Sequence, residues 1–336
     1  MNRLFFRLSK AFKANYRGYF DRVRDIARVS GRPAALIFAD TLYCAARYGA
    51  GLSDYTDFHF YAMDGSERSS YVTVSVNNRF VRAMNDPAHR HVFDSKSAFY
   101  TRFSSFLGRE FIVLSQADED SFADFVKDKE HIFVKPDGMS SGIGVSRVRV
   151  PDYDGPSALL AELLRRGCGV AEEAIVQHKA MASLNPSCVN TLRLITVAVD
   201  GECELVGAVL KVGSGGEVDN MGAGGLCAPV DMESGVVSGG ACVRKEQRYD
   251  VHPLTGARFE GFEIPFFREA KDLVRRASAV VPQVRFVGWD VAITDGGPVL
   301  VEGNYYPGNG LWQIPDGRGK MDVVRRYMER VKKERV

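Results

Sequence analysis

The sequence predicts an α+β protein in which helices pack on antiparallel hairpins, with a largely helical region in front. Two observations carry the sheets. The apolar runs NTLRLITVAVDG and ECELVGAVLKVG meet at Asp200-Gly201, a dipeptide suited to the positive φ angles of a tight hairpin turn. FVGWDVAIT and PVLVEGN meet in the same way across Asp295, Gly296 and Gly297. The third observation carries the helices: PSALLAELLRRG and PFFREAKDLVRRASAVV repeat apolar residues every three or four positions, the spacing of one helix face.

In chain order, MNRLFFRLSKAFKANYRGYF holds five basic residues, no acidic one and an apolar run of only three, too short for an export signal or a membrane span. Leu4, Leu8 and Phe12 recur with Phe5 beside them, and Arg3, Arg7, Lys10 and Lys13 lie mostly elsewhere on the helix. Such a helix either packs on its own domain or lies weakly on an anionic membrane surface. Ala34–Tyr48 is apolar enough to be buried, and Ser69–Val76 alternates like a strand. From Ser95 the pattern becomes helix (KSAFYTRFSSFL), strand (FIVLS), helix (SFADFVKD), then strand, glycine loop and strand in HIFVKPDGMSSGIGVSRVRV. PSALLAELLRRG and a strand near AIVQH precede the two long hairpins, which are separated by a glycine-rich segment, the charged loop Arg244–Gly261 and a helix. DVVRRYMERVKKE ends the chain as a helix.

Composition limits the function. With 336 residues, 45% hydrophobic and 26% charged, the chain has ordinary globular composition and room for two or three domains. A formal net charge of +2 without an aromatic-basic repeat argues against a nucleic-acid partner. Six scattered cysteines without a CxxC pair suggest neither a disulfide framework nor a zinc site, so a reducing cytoplasm is expected.

Four features carry candidate chemistry. In the last hairpin, a three-residue Asp-Gly-Gly loop sets Asp290 opposite Glu302, whereas a two-residue loop sets it opposite Val301. Asn304 shares the Glu302 face, and two carboxylates with an amide oxygen suit Mg²⁺ or Mn²⁺. An apolar strand delivers Lys135 to a loop punctuated by Gly138, Gly142 and Gly144, whose N–H groups can cradle phosphate oxygens. No Gly-Lys-Ser/Thr opens a helix there, and no kinase motif follows. Arg193 lies between Leu192 and Leu194, so it needs a carboxylate or phosphoryl partner. Lys96 opens a helix and, by itself, reads as a surface lysine.

Taken in order, DSK (94–96), VKPDGMSSGIGV (134–145), EEAIVQH (172–178), TLR (191–193), VDNMGAGG (218–225), GWD (288–290) and VEGN (301–304) resemble the ATP-grasp superfamily over roughly residues 91–320. EEAIVQH, NPSCVNTLRLIT, HPLTG and GWDVAI…GPVLVEGN look most like its sugar-transfer-associated branch. The resemblance implies the ATP-grasp fold, two α+β subdomains gripping ATP: a helix-rich region 1–90, a first subdomain 91–171 bearing the glycine flap, and a second, 172–336, bearing the metal site.

The resemblance also implies roles. Lys96 and Lys135 would contact phosphates, with Gly138, Ser140, Ser141, Gly142, Ile143 and Gly144 closing over them. Glu172, Glu173, Ala174 and Ile175 would hold adenine, with His178 nearby. Arg193 would steady the transferred phosphoryl group, Lys211 and Asn220 would add phosphate-side or substrate-side contacts, and Asp290, Glu302 and Asn304 would hold Mg²⁺. The implied reaction joins a small-molecule or glycan-linked carboxylate to an amine through an acyl phosphate, in cell-surface polysaccharide or specialised-metabolite synthesis. A small-molecule kinase and a non-catalytic nucleotide-binding scaffold stay open as alternatives. The sequence departs from the family in having Gln177, His178 and Lys179 where an acid for the ribose is common. His252 and Arg248 mark the 244–261 loop as either a lid or a plain solvated loop.

Overall fold

The computed structural model describes residues 16–138, 144–215, 224–244 and 247–334. Two antiparallel sheets organise it. The smaller has four strands in the order β1-β4-β2-β3: β1 (Phe111–Val113), β2 (His131–Pro136), β3 (Ser146–Arg149) and β4 (Cys168–Glu172). Period-two alternation sends Ile132 and Val134 into a core with Phe122, Leu159 and Leu163 of the helices Glu119–Val126 and Pro156–Arg165. His131, Phe133 and Lys135 are left on the other side, facing the pocket between the sheets.

The larger sheet has seven strands in the order β11-β10-β5-β6-β7-β8-β9. Its long members are β5 (Thr191–Val199), β6 (Glu202–Val212), β10 (Phe286–Thr294) and β11 (Gly297–Asn304). Asp200 and Gly201 both take positive φ, +56° and +77°, so β5 and β6 join through the tight turn their sequence specifies. Leu192, Leu194, Trp289 and Val291 pack against Leu273 and Val274 of the helix Phe267–Ser278. Ile195, Val197 and Phe286 pack on the other side with Phe80 and Tyr327 of the helices Val74–Met84 and Met321–Glu334.

Several elements differ from the sequence reading. Ser69–Val76 is no strand: Thr73 caps the helix Val74–Met84, and Val76, Phe80, Val81 and Met84 form its buried face. The alternation in SYVTVSV runs from the end of the helix Gly65–Ser70 across the Thr73 cap and stops within the first turn, and the helical period wins downstream. The strand near AIVQH lies earlier, at β4; Glu173–Gln177 is a crossing between sheets, with Val176 at 74% exposure. Ala34–Tyr48 is a helix that buries only Ile37, Thr41 and Cys44. β7 (Leu226–Pro229) and β8 (Ala241–Arg244) extend the large sheet between the glycine-rich segment and the expected charged loop, and β9 (Gln247–Tyr249) adds a strand inside that loop.

The final hairpin reaches the expected pairing by an unexpected route. Its loop is the two-residue Asp295-Gly296, because Thr294 pairs with Gly297. That loop alone would set Asp290 opposite Val301, but an irregularity after Val291↔Leu300 restores Asp290↔Glu302. One extra residue in β11, a β-bulge at Val301, makes the difference. Both Val301 and Glu302 thereby reach the pocket.

The helical N-terminal part is bolted to the large sheet beside this hairpin. Asn85 Nδ2 donates to Phe286 O (2.8 Å) and Tyr305 O (2.6 Å), and its Oδ1 accepts from Phe286 N. Asn309 Nδ2 donates to Asp54 and to Val72 O, while Gln313 exchanges bonds with Val72 in both directions. The tail YYPGNG after β11 therefore positions the helical region, and its Gly308 also lines the pocket.

Gly303 sits where an added Cβ would meet the rings of Phe99, Phe93 and Trp289 at 2.9–3.0 Å. Core rings cannot yield as a flexible chain end can, so Gly303→Ala is expected to lower unfolding free energy by about 1–3 kcal/mol. Urea denaturation measures this, and an unchanged midpoint would show that the aromatic cluster does not constrain β11.

Candidate functional site

A pocket of about 900 Å³ opens between the pleated face of the small sheet, the crossing Glu173–Gln177 and the face of the large sheet that carries Arg193. Lys96, Lys135, Glu172, Glu173, Ala174, Ile175, Arg193, Lys211, Asp290, Glu302 and Asn304 all line it. Residues proposed from segments more than two hundred positions apart are thus brought together.

On the large sheet the chemistry is a row across the strands. Arg193 of β5 is the register partner of Asp290 on β10, and Asp290 is the partner of Glu302 on β11. Cross-strand neighbours of this kind sit about 5 Å apart at Cβ, where two carboxylates repel. Arg193 relieves the repulsion through a bidentate contact, Nε to Oδ1 at 2.6 Å and Nη2 to Oδ2 at 2.9 Å, and Lys211 Nζ adds a 3.3 Å contact to Oδ2. Burial pushes the Asp290 carboxyl up, but the charges of Arg193 and Lys211 outweigh it and hold the pKa well below the ordinary carboxylate range. Glu302 has its own cation: Lys96 Nζ lies 2.7 Å from Oε1.

Lys96 is positioned by its helix and by the loop after β2. Ser95 caps the helix by accepting from Ala98 N, and Asp137 accepts from Ser95 Oγ, Ser97 N and Ser97 Oγ (2.7 Å). The DSK and KPDG segments are therefore one bonded unit. Asp137 also packs against Gly169 of β4, where a Cβ would come within 2.6 Å of its carboxyl carbon.

The deeper end holds a charge cluster. Lys135 Nζ lies 2.6 Å from Glu172 Oε1 and donates to the Tyr100 hydroxyl at 2.6 Å. Arg109 donates to Glu172 at 2.8 Å, to Tyr100, and to the carbonyl oxygens of Leu107 and Leu300 at 2.8 Å each, while Tyr100 donates to Glu172. Since Glu172 ends β4 and Leu300 belongs to β11, Arg109 joins the two sheets. Burial raises the Glu172 carboxyl, yet Lys135 and Arg109 outweigh it and hold the pKa low; burial opposes the Lys135 charge, yet Glu172 raises that lysine's pKa.

Arg109, Tyr100 and Asp137 went unread in the sequence. Tyr100 follows Lys96 by one helical turn, which is a usable signal; Arg109 and Asp137 carry none. Arg147 and His131 also line the pocket from β3 and β2.

Other expectations fall elsewhere. His178 caps the helix Lys179–Leu184 by accepting from Ala180 N, and its ring is 3.8 Å from Asp295, outside the pocket lining. Gln177 lines the pocket, but its side chain is bonded to Asn185, Cys188 and Asn190. Buried His252 donates to Gly213 O at 2.7 Å, and Arg248 donates to Ile314 O and Pro315 O. These two side chains pin the described part of that loop, residues 247–261, in place. Ser140, Ser141, Gly142, Ile143 and Asn220 lie outside the described residues, while Gly138 and Gly144 flank the flap at positive φ.

No cluster of three His, Cys, Asp or Glu suited to a metal occurs among the described residues. The Asp290, Glu302 and Asn304 set is instead two carboxylates and an amide, all oxygen donors lining one pocket. That chemistry fits a hard divalent cation shared with phosphate oxygens. Both carboxylates already face cations, so such an ion would share or exchange partners with Arg193, Lys211 and Lys96.

A family model described as sugar-transfer associated ATP-grasp matches residues 157–329. No curated protein matches the chain. Among solved structures, the chain is similar to a D-alanine–D-alanine ligase from Bacillus anthracis at 15% identity, covering 78% of this chain and 77% of that one with a TM-score of 0.44. It is also similar to the ATP-grasp ligase PsnB complexed with minimal precursor, at 15% identity, 84% and 75% coverage and a TM-score of 0.43.

The depressed Glu172 and Asp290 carboxyls set an acid limit. Their stabilisation is present above the unfolded pKa of about 4 and is lost as pH falls through the lower folded values. Glu172→Gln is expected to cost about 3–5 kcal/mol at neutral pH, since Lys135 and Arg109 lose their buried counter-charge, and to flatten the fall in stability below about pH 4. Urea unfolding across pH checks both, and parallel acid slopes for the two proteins would refute the assignment.

Proposed function

The chain belongs to the sugar-transfer associated ATP-grasp family, and from that premise we propose that it is an ATP-dependent ligase that makes an amide from a carboxylate and an amine through an acyl phosphate. The observation that carries this reading is the single pocket in which Lys96, Lys135, Arg193 and Lys211 converge with Asp290, Glu302 and Asn304. Phosphoryl transfer needs charge neutralisation and positioning more than an enzyme nucleophile, and these residues supply both.

In this mechanism the crossing Glu173–Ile175 holds the base through its backbone. That crossing is anchored at its ends, where Glu173 N donates to Glu110 O at 3.0 Å and His178 N donates to Ile293 O at 2.7 Å. Lys96 and Lys135 draw in the phosphates, and Arg193 neutralises the group in transit. The carboxylate oxygen attacks the γ-phosphorus, the bond to the β-phosphate oxygen breaks, and ADP leaves. The amine then attacks the acyl carbon, the carbon–oxygen bond to phosphate breaks, and phosphate departs with the electron pair and the amine proton. A divalent cation held by Asp290, Glu302 and Asn304 would add positive charge beside the phosphates. We propose residues 91–171 and 172–336 as the two gripping subdomains, with 1–90 attached to the second. Synthesis of surface polysaccharide or a specialised metabolite is the setting in which we place the reaction.

A screen of paired carboxylates and amines for ADP release, with mass spectrometry of products, tests this. Equal amounts of ADP, phosphate and amide are expected; a lasting phosphoester without free phosphate would make the protein a kinase. Glu302→Gln is expected to slow ADP release by about 100-fold or more, and turnover at the parent rate would remove Glu302 from the site.

A further inference from the structure

The helix Ala34–Tyr48 is apolar on both sides. Its inner side buries Ile37, Thr41 and Cys44. The one acid it carries, Asp40, is tied by two 2.8 Å bonds to Arg68 and by a 2.7 Å bond to the Tyr55 hydroxyl. The opposite side of such a helix ordinarily bears charge. Here it presents Ala35, Leu36, Ala39, Leu42, Tyr43 and Ala46, all exposed, with Leu36 at 62% and Tyr43 at 53%. At 100° per residue these six fall within a stripe about 120° wide. A continuous apolar stripe facing solvent marks a surface that something covers.

The charge around the stripe indicates what that is. Arg32 and Arg47 stand exposed at its two ends, and the adjoining helix Tyr16–Ser30 exposes Arg22, Arg24 and Arg28, the last two paired with Asp21 and Asp25. The first fifty residues hold ten Lys and Arg against three Asp, a formal +7 in a chain that totals +2, so the remainder is net −5. Four of the ten, Arg3, Arg7, Lys10 and Lys13, come from residues outside the described part. Face-to-face pairing of two copies through the stripe would bring two such basic rims together, which electrostatics opposes. An anionic surface turns the same charge into attraction. No helix among the described residues is long and apolar enough to cross a membrane, so the contact is peripheral.

We infer that the outer face of Ala34–Tyr48 is a docking surface for an anionic lipid membrane, with Leu36, Leu42 and Tyr43 entering the interfacial layer and the flanking arginines meeting headgroup phosphates. The inference is independent of the ligase chemistry, because none of these residues lines the pocket.

Sedimentation of the full chain with phosphatidylcholine vesicles, with and without phosphatidylglycerol, tests it. Binding is expected to be at least about tenfold stronger to the anionic vesicles and to weaken with added salt. The double variant Leu36→Glu/Tyr43→Glu should lose about tenfold of that binding while its melting temperature and ATP affinity stay unchanged, and Arg32→Gln/Arg47→Gln should weaken the anionic preference. Three results would overturn the inference: no binding to anionic vesicles, binding that both double variants leave intact, or a stable solution dimer that Leu36→Glu/Tyr43→Glu dissociates. The last would assign the stripe to a second copy.

Discussion

A buried carboxylate on β10, one strand in from the edge of the large sheet, constrains the rest of the site. Asp290 is 8% exposed, and an ionised group so placed costs several kcal/mol unless paired. Its register neighbour on one side is Arg193 and on the other is Glu302. The first satisfies it; the second repels it and must itself be balanced. Lys211 contributes from β6, and Lys96 reaches Glu302 from a helix outside the sheet. One buried acid thus draws cations from β5 and β6 and, through Glu302, from the helix of Lys96, and those cations are charges that a polyphosphate would use. Folding thus gathers the charges that the proposed phosphate site would use.

The second cluster does for the relation between the sheets what Asp290 does within one of them. Glu172 takes both Lys135 and Arg109, and Arg109 extends to Leu300 O on β11. Four polar groups that would each be costly alone become affordable as a network with every partner in place. Because Leu300 immediately precedes the bulge that aligns Glu302, Arg109 links the β4 terminus to the segment that sets the Asp290–Glu302 register. The Lys96–Glu302 contact ties the helix of Lys96 to β11, but Glu302 remains 29% exposed. It is the more easily exchanged of the two connections.

How much of this was legible depends on sequence distance. The β5–β6 hairpin was plain because Asp200-Gly201 is local chemistry, and Arg193 announced itself by lying between two leucines. The Asp290–Glu302 pairing was reached with the wrong loop, since a three-residue turn and a two-residue turn followed by a bulge shift β11 by the same single residue. Nothing local distinguishes them. Ser69–Val76 alternated over too few residues to outvote the helical spacing that followed. Arg109 was silent because its partners lie at Tyr100, Glu172 and Leu300, and only the fold assembles them.

The resting charge balance explains why such a site would prefer a metal-bound nucleotide. Lys96, Lys135, Arg193, Lys211 and Arg109 oppose Glu172, Asp290 and Glu302, and every one of the eight is already paired. A bare polyphosphate entering would gain these cations only by stripping them from the acids, leaving Asp290 or Glu302 uncompensated beside its own negative charge. Loss of a buried partner of that kind is worth about 3–5 kcal/mol, enough to offset much of the attraction. A divalent cation arriving with the phosphates would replace what the lysines and Arg193 give up, so both exchanges proceed without an unpaired charge. Glu302, the least buried of the three acids and held by Lys96, is where that exchange would begin.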